Sequence, residues 1–94
     1  MEYTSMDEIR ADIDQLDEKL VELVAQRGRC VKAAARFKQN TQAVRAPERV
    51  KQVIDKVKAH AKRAGLPEEI IEKTYLAMIN AFIEYELMQH NQLK

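Results

Sequence analysis

The 94-residue sequence has one cysteine, two prolines, two glycines and no tryptophan, and its aromatic content is three tyrosines and two phenylalanines. Each scarcity removes a class of protein. A lone Cys30 cannot form an intrachain disulfide, and no cysteine and histidine cluster has the spacing of a zinc site. With so little glycine there is no phosphate-cradling loop. No stretch alternates apolar and polar residues as a strand would, which leaves an all-α chain. Neither sign of charge dominates: 16 basic residues face 15 acidic ones, for a formal net charge of +1. That excludes a nucleic-acid or membrane-surface binder working by bulk charge. No apolar run approaches the ~20 residues of a membrane span. The polar N-terminus does not read as a signal peptide, so the expected location is cytoplasmic. Residues 1–94 read as a single domain whose core is modest, which makes association of chains plausible.

What is present is helical periodicity. Ser5 and Glu8 have capping-box spacing, and Asp7 adds negative charge at a helix start. From there Ile9, Ile13, Leu16, Leu20, Leu23, Arg27, Cys30, Ala34 and Phe37 follow one another at three-four spacing and define one stripe. The spacing predicts a first helix running to about Lys38, roughly 50 Å long. Such a helix is too long for a compact chain of this size, and its seven-residue repeat should be buried on the same helix of a second copy. Residues 39–46 are polar and read as a loop. Pro47 suits the first turn of a second helix, with Val50, Val53, Ile54, Val57 and Ala61 on one face and Gly65 at its end. A third helix carries Ile70, Ile71, Tyr75, Met78, Ile79, Phe82 and Ile83, and runs on toward Leu87.

Arg27 is a cation on an apolar stripe. It can snorkel to solvent or fix register, or it can serve a ligand; spacing alone leaves both readings open. On a continuous helix Lys38 would lie about three turns from Arg27, within ~20° of it and about 16 Å along the axis, a pair able to grip a small anion. Arg10 would lie about 25 Å from Arg27 and be rotated by roughly 100°, so one straight helix cannot bring both to one ligand. An antiparallel partner helix could, giving two composite sites per dimer; the ordinary alternative is a weak surface pair with Asp14. Arg49 sits in the first turn of the second helix, where an anion would be favoured, which suggests another duty. Glu86 is flanked at helical spacing by Ile79, Phe82 and Ile83, and burial there would favour a neutral, hydrogen-donating carboxyl. The ordinary alternative is a glutamate bordering the core and reaching water. His60 and His90 read as surface residues, Ser5 and Thr41 as cap and loop residues, and Cys30 as a buried structural thiol. No nucleophile stands out.

These residues carry a resemblance. Ile9-Arg10-Ala11-Asp12-Ile13-Asp14, Gln26-Arg27, Val31-Lys32-Ala33-Ala34-Ala35-Arg36-Phe37-Lys38 and Ala46-Pro47-Glu48-Arg49-Val50 are similar, in order and spacing, to the all-helical chorismate mutases and their close relatives the isochorismate-pyruvate lyases. The resemblance spans nearly the whole chain. It implies three helices per chain intertwined in a homodimer, with a small dicarboxylate as substrate and no cofactor or metal. By position, Arg10 would be donated across the dimer, Arg27 and Arg49 would bind carboxylates, and Val50 and Ile83 would contact the substrate. Lys38 would donate to the ether oxygen as the carbon–oxygen bond breaks. Catalysis of that pericyclic step would rest on holding the reactant and on cations placed where charge grows.

The sequence departs from the mutase pattern at Ala46, where an acidic residue is common, and at Val50, where a glutamate binds the ring hydroxyl; the lyase branch shares this apolar setting. Glu86 replaces the glutamine of bacterial mutases and lyases, and a glutamate occurs there in the eukaryotic branch, protonated and donating to the ether oxygen. The resulting expectation is a chorismate mutase forming prephenate, with an isochorismate-pyruvate lyase forming salicylate and pyruvate as the alternative. A non-catalytic helical dimerisation module, in which Arg27 only sets register, is the alternative from another class.

Overall fold

The computed structural model describes residues 2–38 and 40–92, the last three by their backbone alone, so the side chain of His90 lies outside the described residues. Helix α1 spans Met6–Ala34, a single 3-10 turn Ala35–Phe37 follows, and then come α2 (Thr41–Arg45), α3 (Pro47–Ala64) and α4 (Glu68–Gln92). No strand occurs among the described residues. Among the described residues no helix is long and apolar enough to cross a membrane. The three long helices expected are therefore present, with α2 in addition.

Two compact units divide the chain, residues 1–33 and residues 34–94. The first is essentially α1. Its start is capped as the sequence suggests: the Ser5 hydroxyl accepts from the Glu8 amide at 3.2 Å. Glu8 reaches back to the Thr4 amide at 2.7 Å rather than to Ser5. That bond holds the Glu8 carboxyl below its usual range. The Tyr3 hydroxyl donates to Asp12 at 2.7 Å, which pushes the phenol up. No residue of α1 is buried. Leu16, Leu20 and Leu23, central to the stripe, are 57% to 62% exposed. Cys30 is exposed too, against the expectation of a buried thiol, because the stripe that carries it is uncovered in a single chain.

The second unit holds the core. Helix α4 packs against α3 and α2. Val44, Ile54, Ala61 and Ile79 are buried there. Two features differ from expectation. Helix α1 stops at Ala34, and Lys38 is extended, with φ −102° and ψ 126°. The predicted continuous face from Arg27 to Lys38 therefore does not form. Alanine-rich sequence favours continuing the helix, but an ion pair on Lys38 and the cap of the next helix override that weak preference. The segment read as loop contains α2, whose cap is Asn40: its side-chain oxygen accepts from the Ala43 amide at 2.8 Å. An Asn-Thr pair before a buried valine was the available signal.

Ala46 joins α2 to α3 in the left-handed conformation, φ 39° and ψ 62°, and is the one non-glycine residue with positive φ among those described. For an alanine that conformation costs roughly 1–2 kcal/mol. Helix α3 begins with Pro47 and closes at Gly65, φ 79°, whose amide bonds Lys62 at 3.3 Å while the Leu66 amide bonds Ala61 at 2.8 Å. That pair of bonds satisfies the last carbonyls, and glycine takes the positive φ without steric cost. Lys58 and Glu72 approach to 3.7 Å between α3 and α4, half-exposed and so worth little.

Candidate active site

Glu86 is the buried charged residue of the second unit, 6% exposed, on a helix whose preceding turns supply Ile79, Phe82 and Ile83. A carboxylate taken out of water needs a partner. Lys38 supplies it from the far side of α2 in sequence: its ammonium donates to Oε1 at 3.3 Å and stands 3.2 Å from Oε2. The backbone of Lys38 is extended where its side chain bonds Glu86 on α4. Oε2 is fully buried yet accepts no hydrogen bond, because the ammonium lies close but misaligned. A buried acceptor without a bond is costly in an ordinary core and common where a ligand completes the set. Ammonium and carboxyl thus stand side by side with spare hydrogen-bonding capacity.

Arg49 lies on the exposed first turn of α3 and donates to Gln52 at 3.5 Å, a weak hold that leaves the guanidinium fork available. It borders a hollow of about 580 Å³ that Asn40, Ala46 and Gln52 also line. Val50, next in sequence, is half-buried, as is Ile83 one turn before Glu86. Five of the expected site positions therefore belong to the second unit: Lys38, Arg49, Val50, Ile83 and Glu86. Lys38 and Glu86 are in direct contact. Arg10 and Arg27 belong to α1, where Arg10 is exposed and Arg27 half-buried. Both lie within one uninterrupted helix, so the separation of about 25 Å and the rotation of roughly 100° hold. One small ligand cannot span them on a single α1. Gln52 does not stand out in the sequence, since a lone glutamine one turn after an arginine carries no signal.

Residues 9–87 match the family described as chorismate mutase type II. The chain belongs to that family. An isochorismate pyruvate lyase from Pseudomonas aeruginosa is 31% identical over 91 residues, covering 97% of this chain and 90% of the relative. The matched span includes the candidate positions from Arg10 to Glu86. The all-α architecture is that of the family, and its substrates are chorismate or isochorismate.

Proposed function

We propose that the chain is a chorismate mutase that rearranges chorismate to prephenate, working as a homodimer in which α1 of each chain is buried on the other. The observation that carries the reading is the contact between Lys38 and the buried Glu86, with Oε2 lacking a hydrogen bond. In the rearrangement the ether carbon–oxygen bond breaks as a carbon–carbon bond forms, and negative charge grows on the ether oxygen. Lys38 donates to that oxygen. Glu86, in contact with the Lys38 ammonium, orients it toward that oxygen. Arg27 and Arg49 hold the two carboxylates, and the partner's Arg10 completes the set. Val50 and Ile83 supply apolar contact to the ring. Preorganised donors of this kind contribute about 3–4 kcal/mol each to the transition state. No cofactor or metal enters the proposed chemistry.

A second reading has its own support. The Pseudomonas aeruginosa relative is an isochorismate pyruvate lyase, and Val50 supplies no carboxylate for a ring hydroxyl. On this reading the same cations bind isochorismate and the products are salicylate and pyruvate. A dimerisation module without catalysis is the third possibility. Incubation with chorismate and isochorismate separately, with products resolved by chromatography, discriminates among them. Prephenate supports the mutase, salicylate with pyruvate supports the lyase, and neither product leaves the module.

A further inference from the structure

We propose that Ala46 is a positioning residue whose left-handed backbone sets the direction of Arg49 relative to the Lys38–Glu86 pair; this rests on the reading above, in which Arg49 holds a substrate carboxylate. Two helices meet at this one residue. Its amide bonds the Gln42 carbonyl at 2.9 Å and closes α2, and its own carbonyl accepts from the Val50 amide at 3.0 Å and opens α3. Right-handed helical geometry is disfavoured for a residue before proline, so α2 cannot run straight into Pro47. The left-handed conformation satisfies both backbone bonds within a single residue, and alanine adopts it against its own preference.

Strain of this kind persists only where the surroundings hold it. Here both sides are anchored. Val44, two residues before, is 3% exposed, and Ile54, two turns into α3, is 8% exposed, with α2 and α3 both packed on α4. Ahead of α2 in sequence, Lys38 is tied to Glu86, and Asn40 caps the helix. The joint at Ala46 therefore fixes the angle at which the first turn of α3, with Arg49, leaves a short helix that is itself packed on α4.

Glycine at position 46 removes the steric conflict but frees the backbone, whereas asparagine tolerates the left-handed region and keeps it restricted. The test compares Ala46→Gly, Ala46→Asn and Arg49→Ala with the parent by steady-state kinetics and by NMR titration with malonate, a simple dicarboxylate. Ala46→Gly should retain its helical content and melting temperature, raise KM and the malonate Kd about tenfold, and change kcat little. Ala46→Asn should return both to near the parent values. In the Arg49→Ala background, Ala46→Gly should add nothing further, as expected of two residues acting through one group. Unchanged malonate affinity in Ala46→Gly, or effects that add to those of Arg49→Ala, would overturn the proposal. If the parent turns over neither chorismate nor isochorismate, the functional reading falls, and the malonate titration still decides the role of Ala46; a parent that binds no malonate overturns it.

Discussion

Helix α1 and the unit formed by α2, α3 and α4 solve burial differently. The second unit turns its apolar faces on itself and buries even a glutamate. Helix α1 buries nothing and presents Leu16, Leu20 and Leu23 to solvent. Apolar stripes of that size are tolerated where a partner covers them. The division also separates the cations: Lys38 and Arg49 sit on the self-contained unit, and Arg10 and Arg27 on the uncovered helix. A site that needs all four requires the uncovered helix to be docked, so in the proposed enzyme assembly and catalysis are the same event.

The largest effect should come from the catalytic side of this division. Lys38→Ala should lower kcat by about 10²–10³, the loss expected on removing a donor from developing charge, with the helical content of the protein preserved. Near-parent turnover in that variant would detach the second unit from the chemistry. On the other side, Leu20→Lys places a charge in the middle of the α1 stripe. Sedimentation should show the dimer giving way to monomer, with activity lost although no candidate site residue has changed. A Leu20→Lys protein with parental mass and activity would mean that α1 works uncovered.

Glu86→Gln is subtler, because the amide oxygen can still accept from Lys38. It should keep turnover within about tenfold of the parent, whereas Glu86→Ala, which leaves the ammonium unheld, should lower kcat by about 10²–10³. Parental kcat in Glu86→Ala would remove Glu86 from the reaction. Asn40→Ala, which uncaps α2, should lower stability by about 1 kcal/mol in a denaturant titration. Smallest is the contribution of Glu8, whose carboxyl is held below its usual range by the Thr4 amide. A depressed carboxyl stabilises above its unfolded pKa and loses that contribution as pH falls through the folded one. Amide exchange at the start of α1 should accelerate there, and Glu8→Gln should abolish the acceleration.

The contrast between the units also explains what could be read from the sequence. The three long helices were legible because periodicity, Ser5, Pro47 and Gly65 all speak locally. The stripe of α1 was equally plain, and it is exposed in the single chain. Lys38 was expected on a continuous first helix, and the structure places it in extended backbone beyond that helix. Its departure from the helix depends on Glu86, far along the chain, and no local pattern reports a long-range ion pair. Ala46 was noticed for the residue it lacks compared with the mutases. Its conformation follows from two anchors that only the folded unit supplies, Val44 on one side and Ile54 on the other.

In the proposed dimer each site takes Arg10 from one chain and Lys38 from the other, and subunit mixing separates that arrangement from a site built within one chain. Arg10→Ala and Lys38→Ala proteins should each be inactive alone. After exchange of chains, random pairing should restore about a quarter of the parental activity, because half the dimers are mixed and each mixed dimer assembles one intact site. If Arg10 and Lys38 served the same site from the same chain, every site in the mixture would lack one of them. Mixed dimers formed in full yield without any recovered activity would contradict the account.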